Sequence, residues 1–301
     1  MFESLEKFEA LPEYVQVSSA HGAGSACGKP LGAVHSSTVG YEKIRNWAFQ
    51  YGNDEQGFVD YLLADQPEPP KYFAMMKHLN KVNRPLLVEV PKHAKLSKEE
   101  FLSAYNKGIA VIDTRNKFEF AEGFLPGSLN IQGNNSFSTW MGWLLNYQQQ
   151  FILVADDKTI VNLTRKLMRI GMDNMLGYVT DVASFGIELE KSEVINLSKF
   201  KSTINNDNYQ IIDVRGLTEF EAGHVEGAEH IFVGTLAENL NKINKKKQVV
   251  IHCQAGDRSA IAFSLLHKYG FKNVWNYAGG MKEWVACNEA TITERQMACA
   301  I

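Results

Sequence analysis

Residues 108–130, GIAVIDTRNKFEFAEGFLPGSLN, and residues 209–230, YQIIDVRGLTEFEAGHVEGAEH, are two versions of one stretch. Asp113, Arg115, Glu119, Phe120, Gly123 and Gly127 recur 100 positions later as Asp213, Arg215, Glu219, Phe220, Gly223 and Gly227. Further on, FILVADDKTIVNLTRKLMRIGMDNMLGY (151–178) resembles VVIHCQAGDRSAIAFSLLHKYGFKNVWNY (249–277), with Gly171 matched to Gly270 and an offset of 99. A repeat this long means two copies of one whole domain rather than a solenoid.

Each copy reads as alternating strands and helices. The β-branched runs Ala110–Asp113, Ile152–Val154, Gln210–Asp213 and Val249–His252 have the length and composition of buried strands. Ser259–Tyr269 carries an apolar side at helical spacing, and KYFAMMKHLN (71–80) also reads as a helix. Ser97 with Glu100 three residues later, ahead of Phe101 and Leu102, is a capping box that opens a helix in the first copy. This alternation predicts an α/β fold of two tandem domains, each a mostly parallel sheet flanked by helices. Active residues in such sheets lie beyond the carboxyl ends of the strands.

The whole chain sets limits on function. Its 301 residues suffice for two average domains or three small ones. With 31 Lys+Arg against 34 Asp+Glu, the charge of −3 argues against a general nucleic-acid binder. Hydrophobic residues at 45% and charged residues at 22% are those of a chain that buries ordinary cores. No apolar run approaches the roughly 18 residues of a bilayer span, so no membrane partner is expected. The first residues, MFESLEKFEALPEYVQVSSA, lack the apolar stretch of a signal peptide. Cys27, Cys253, Cys287 and Cys299 are widely spaced, as in a reducing cytoplasm where a lone Cys is a thiol and a candidate nucleophile.

The chemistry concentrates in His252-Cys253-Gln254-Ala255-Gly256-Asp257-Arg258-Ser259. The run Val249-Val250-Ile251 delivers Cys253 to a strand end, and a helix follows. A short Cys-to-Arg loop between them can curl around the sulfur with its N–H groups pointing inward. The helix N-terminus adds positive potential, and together these favour thiolate over thiol. Gly256 gives the loop a backbone conformation closed to other residues, and Arg258 either braces the loop or contacts an anionic substrate. The plainer alternative is a buried, inert Cys. His252 either acts as a base or packs beneath the loop. Asp213, Arg215 and His224 read as structural residues that hold the loops.

At this point the residues resemble a family. IIDVRGLTEFEAGHVEGAEHI, HCQAGDRS and NYAGGMKEW, spanning about residues 199–286, look like a rhodanese domain. The resemblance implies that Cys253 is the catalytic residue. It would carry sulfane sulfur as a persulfide and pass it to a thiol, sulfite or cyanide acceptor without a cofactor. The loop residues Gln254, Ala255, Gly256, Asp257, Arg258 and Ser259 would bind substrate. Four residues separate Cys253 from Arg258, as in sulfurtransferases, whereas related phosphatases and arsenate reductases have a longer loop. Asp257 places a carboxylate in the loop. Its charge would repel thiosulfate and favour a small organic persulfide or a protein thiol as donor, unless the side chain points outward into solvent.

The first copy has lost this chemistry. Val154 aligns with Cys253, a one-residue slip would place Ala155 there instead, and Asp156-Asp157 follows. Residues 85–190 therefore read as an inactive rhodanese-like domain, acting as architecture, as a wall of a shared site, or as a spacer. Residues 191–301 read as the active copy.

The first 84 residues have no mirrored partner. QVSSAHGAGSACGKPLGAVHSSTVGYEKIRNWAFQY (16–51) and QPEPPKYFAMM (66–76) resemble the carboxyl-terminal part of metallo-β-lactamase-like persulfide dioxygenases. In particular they look like the subgroup fused to two rhodanese domains, the first inactive and the second active. That family uses a non-haem iron to oxidise a persulfide to sulfite. Its iron run H-x-H-x-D-H is absent here, and His21 is the one histidine at a position where the superfamily has a ligand. A single His cannot hold such an ion, so no metal site is expected and residues 1–84 read as a domain begun partway through. A half-domain would leave apolar surface exposed and open to homo-oligomerisation. Cys27 is a free thiol or a sulfur relay, and Cys287 and Cys299 lie beyond the active loop. A second functional class, a sulfur carrier that loads once and waits for a partner protein, fits the same residues.

Overall fold

The computed structural model describes residues 1–18, 36–64, 69–84 and 86–293. His21, Cys27 and Cys299 lie outside the described residues. The chain forms two compact units, Met1–Pro69 and Pro70–Ile301.

The first unit contains helix α1 (Phe2–Glu9), the antiparallel pair β1 (Gln16–Ser18) and β2 (Ser36–Thr38), and helices α2 (Val39–Arg45) and α3 (Glu55–Leu63). The Thr38 side chain accepts from the Tyr41 N–H to start α2, and the Asp54 carboxylate accepts from the Gly57 N–H to start α3. The unit's core is small: Val39, Ala48 and Phe58, with the Trp47 ring stacked on Phe58 at 5.7 Å. Ile44 (81%) and Leu63 (65%) stand exposed.

The second unit begins at Pro70 and its first helix is α4 (Tyr72–Leu79). Tyr72 and Met76 of α4 pack on the core of the first repeat, and a Cβ at Gly142 would collide with the Tyr72 ring. The first repeat then runs α5 (Lys98–Asn106), β3 (Ala110–Asp113), α6 (Lys117–Glu122), β4 (Leu129–Asn130), α7 (Phe137–Leu144), β5 (Phe151–Val154), α8 (Ile160–Met168) and β6 (Met175–Val179). Its sheet has the order β4-β3-β5-β6, all parallel. The capping box forms as read: Ser97 Oγ accepts from the Glu100 N–H, and the Glu100 carboxylate from the Ser97 N–H.

The second repeat runs β7 (Glu193–Ile195), α9 (Leu197–Lys201), β8 (Tyr209–Asp213), α10 (Leu217–Glu221), β9 (Ala228–His230), β10 (Gln248–His252), α11 (Asp257–Lys268), β11 (Val274–Tyr277) and α12 (Gly280–Ala286). Its parallel sheet has the order β7-β11-β10-β8-β9, which puts β10 at the centre. Helices cover both faces, which is why β3 and β5 are buried at every position and read as unbroken apolar runs.

The two repeats share one core. Phe124 meets Phe263 edge-on at 5.7 Å, and Trp143 meets Phe232 edge-on at 5.2 Å. The buried Asn130 N–H donates to Ser264 Oγ at 3.0 Å, joining β4 of one copy to α11 of the other. Among the described residues no helix is long and apolar enough to cross a membrane.

Candidate functional site

Strand register corrects the alignment of the two copies. Asp213 of β8 pairs with His252 of β10, and Asp113 of β3 pairs with Val154 of β5. Val154 thus occupies the place of His252, and Ala155 that of Cys253. Sequence alignment was off by one residue because the two loops differ in length. The conclusion that the first copy lacks the nucleophile is unchanged. Asp157 there is held by Lys95 at 2.9 Å and by the Tyr178 hydroxyl at 3.0 Å. The Lys95 hydrogen bond, with that of Tyr178, keeps its carboxyl below the usual range despite partial desolvation.

In the second copy, Cys253 follows the last residue of the central strand and is 1% exposed. The Gly256 N–H donates to Sγ at 3.1 Å, and Ser259 Oγ lies 3.7 Å from it. Gly256 adopts φ +90° as the residue before α11, and a Cβ there would come within 2.5 Å of the Ala278 carbonyl oxygen. The loop therefore wraps the sulfur at a helix N-terminus, where N–H groups and the helix dipole both favour negative charge. The loop rests on the start of α12. The Met281 and Lys282 N–H groups donate to the carbonyls of Cys253 and Gln254, each at 2.9 Å. Gly280, at φ +61°, admits this approach, since a Cβ there would overlap the Cys253 carbonyl.

Arg258 reaches across to α10. Its guanidinium makes a two-point contact with the Glu219 carboxylate at 2.5 and 2.8 Å, so it braces the loop against α10. Burial opposes the charge on Glu219, but the Arg258 hydrogen bond and charge outweigh it and hold the carboxyl below its ordinary range. The contact with Glu219 is the bracing role read for Arg258.

Asp213 and Arg215 form a buried pair. Arg215 Nη2 lies 2.7 Å from Asp213 and also donates to the Gly223 carbonyl at 2.8 Å. The first copy repeats this with Asp113, Arg115 and Gly123. Burial opposes the Asp213 charge, but His252 when protonated and the adjacent Arg215 overcome it and lower its pKa. His224 Nδ1 lies 2.9 Å from the Phe220 carbonyl, with its ring stacked on Phe220. His252 is fully buried beneath the loop, 5.4 Å from the Phe200 ring and 3.9 Å from Asp213. Burial pushes its imidazole pKa down, and the sulfur's hydrogen-bond partners are Gly256 and Ser259 rather than this ring.

Two residues that sequence reasoning missed come from the other copy. Lys117 Nζ lies 2.7 Å from Asp257 and 2.5 Å from the Ala255 carbonyl oxygen. Asn134 Nδ2 donates to the other Asp257 oxygen at 3.1 Å. Asp257 is therefore a paired carboxylate, and repulsion of thiosulfate by a free charge does not follow. The one available signal was that Lys117 aligns with Leu217, a lysine in the copy that carries no cysteine.

Gln254 and Ala255 form the exposed tip of the loop, and Cys287 sits on the surface at the end of α12. Among the described residues no three His, Cys, Asp or Glu side chains converge on one point. The described residues therefore do not fit a non-haem iron.

The family model described as "Rhodanese-like domain" matches residues 97–183 and 196–287. The chain is 35% identical over 96 residues to the "Putative sulfur carrier protein YrkF" of Bacillus subtilis, covering 32% of this chain and 52% of that one. It is 32% identical over 123 residues to the "Putative thiosulfate sulfurtransferase, mitochondrial" of Schizosaccharomyces pombe, covering 35% of this chain and 80% of that one. A crystal structure described as a metallo-beta-lactamase from Staphylococcus aureus aligns at TM-score 0.50 and 38% identity, over 60% of this chain and 49% of that chain. The chain thus spans about half the length of the first and last of these proteins.

Proposed function

The chain belongs to the rhodanese-like domain family, and on that premise we propose that it is a sulfurtransferase working through Cys253. The observation that carries this reading is the Cys253 sulfur at the end of the central strand, facing the Gly256 N–H at 3.1 Å and the start of α11. Such a loop stabilises a thiolate and, after transfer, the negative terminal sulfur of a persulfide.

The reaction is two nucleophilic displacements. The Cys253 thiolate attacks the sulfane sulfur of a persulfide or thiosulfate, forming a new S–S bond as the donor's own S–S bond breaks. The donor leaves with that electron pair as a thiolate or as sulfite. An acceptor thiolate, sulfite or cyanide then attacks the terminal sulfur, and Cys253 leaves as thiolate. No external oxidant or reductant enters, and no proton need be held by a base. Gly256, with Ala255 and Gln254, supplies the backbone lining. Ser259 faces the sulfur, and Arg258 and Asp257 hold the loop's shape.

The test is intact-mass measurement of the purified chain after incubation with thiosulfate or glutathione persulfide. The chain is expected to gain one sulfur atom, to lose it to sulfite or cyanide, and to gain none as Cys253→Ser. An unmodified wild-type chain with both donors would overturn the reading.

Two finer assignments rest on the same family. A sulfur-carrier role is favoured by the likeness to the B. subtilis protein; it predicts loading without repeated turnover in a continuous assay with small-molecule acceptors. Membership of the persulfide dioxygenase fusion group, with a place in sulfide detoxification in a reducing cytoplasm, is supported by the S. aureus metallo-beta-lactamase alignment. No step is assigned to iron, because the described residues supply no ligand set.

A further inference from the structure

We propose that Lys117, in the repeat that has no nucleophile, is a positioning residue for the sulfur site of the other repeat. It would set the peptide group that faces Cys253. This deepens the sulfur-transfer reading and rests on it.

In a planar trans peptide the C=O and N–H point in opposite directions. In the unit joining Ala255 and Gly256, the carbonyl oxygen accepts from Lys117 Nζ at 2.5 Å, and the N–H donates to Cys253 Sγ at 3.1 Å. The lysine and the sulfur therefore hold opposite ends of the same group. A cation on the carbonyl polarises the peptide and strengthens donation by its N–H. It also opposes rotation of the peptide plane, which would turn the N–H away from the sulfur.

The lysine is itself held in place. It is the first residue of α6, with Asn116 as the cap and its own N–H donating to Gln132 Oε1 at 3.1 Å. Its side chain is 15% exposed, and its Cε lies where a Cβ on Gly256 would be 3.1 Å away. Asp257 grips the same ammonium at 2.7 Å and is steadied by Asn134, whose carbonyl accepts from Lys166 Nζ at 2.6 Å. The equivalent of Lys117 in the second repeat, Leu217, is 54% exposed and takes no part in the loop. The first repeat thus has a use other than spacing: it supplies from outside the cation that holds the Ala255 carbonyl.

The experiment compares wild type with Lys117→Met, Lys117→Gln, Lys117→Arg and Lys272→Met. Lys272 pairs with Glu190 across the same two repeats, away from the loop, so its removal loosens the interface without touching the peptide. Two readouts are taken: sulfur loading from thiosulfate by intact mass, and the pH–rate profile of Cys253 alkylation by iodoacetamide. The Met and Gln variants are expected to load and alkylate about tenfold more slowly near neutral pH, with the alkylation profile displaced to higher pH. The Arg variant should recover most of both, and Lys272→Met should match wild type. Superimposable alkylation profiles for the Met and Gln variants and wild type would overturn the proposal. So would a Lys272→Met profile that moves equally, because the effect would then belong to the interface in general. The two readings fail separately. A wild type that never loads sulfur refutes the transferase reading, whereas the alkylation profiles test the lysine without any sulfur donor.

Discussion

Adjacent glycines at the start of α12 should respond to very different extents to the same substitution. Gly280 sits at φ +61°, and a Cβ there would strike the Cys253 carbonyl oxygen and come within 2.9 Å of the Gln254 carbonyl. A left-handed conformation costs a non-glycine residue about 1–2 kcal/mol. The collision also threatens the Met281 and Lys282 hydrogen bonds to the loop, worth about 1 kcal/mol each. Gly280→Ala should therefore cost about 2–4 kcal/mol, or roughly 5–15 °C in melting temperature for a unit of this size. Relief of the clash must push the loop outward, and a displacement on the scale of 1 Å at the nucleophile is expected to slow sulfur loading about 100-fold. Gly279 sits at φ −62°, and a Cβ there meets chiefly the movable end of the Glu283 side chain, with the Tyr277 ring at 3.0 Å. Gly279→Ala should cost about 1 kcal/mol and keep most of the loading rate. The assays are a thermal melt and a stopped time course of intact mass with thiosulfate. A Gly280→Ala chain that melts and loads like wild type would refute the argument that this close approach sets the loop.

Other expectations follow from the same geometry. Glu219→Gln removes the charge from the Arg258 brace; because the carboxylate is 38% exposed, the stability loss should be only about 1 kcal/mol, but sulfur loading should fall several-fold, and an unchanged rate would show that the brace is dispensable. Burial lowers the His252 pKa, so the unfolded chain binds a proton that the folded chain refuses as pH falls below about 6.5, and stability is lost in that direction. His252→Leu should remove up to about 1.4 kcal/mol per pH unit from the slope of urea stability between about pH 6.5 and 5.5, leaving the part due to His93 and His267; equal slopes would count against it. Ala155→Cys in a Cys253→Ser background should take up no sulfur by intact mass, because the first loop is shaped by Asp156 and the Lys95-bound Asp157; uptake would show that a cysteine at this strand end suffices whatever the loop shape.

The repeat, the parallel α/β architecture and the strand-to-helix loop that holds Cys253 were legible in the residues, for local reasons. A strand buried on both faces must be apolar at every position, as Phe151–Val154 is, and that pattern needs no knowledge of its neighbours. The capping box at Ser97 and Glu100 and the turn at Gly256 are likewise decided within a few residues. Local alignment began to fail where the loops differ in length. Only the pairing of Asp113 with Val154 showed that Ala155, not Val154, stands at the cysteine's position.

What tertiary structure decided is the electrostatics of the site. Nothing local pointed to the partner of Arg258: folding brought Glu219, 39 positions away, within hydrogen-bond distance. Asp257 read as a free negative charge, yet Lys117 and Asn134, 140 and 123 positions away, pair with it. Charge and hydrogen-bond partners are properties of distances in space, and strand–helix crossovers and packed repeats bring together residues that no sequence window spans. The sequence by itself therefore determined the repeat, the α/β architecture and the short strand-to-helix loop in which Cys253 sits. Only the packing of one repeat against the other decided which charges surround that loop, because a side chain's partner is chosen by the fold and not by its neighbours along the chain.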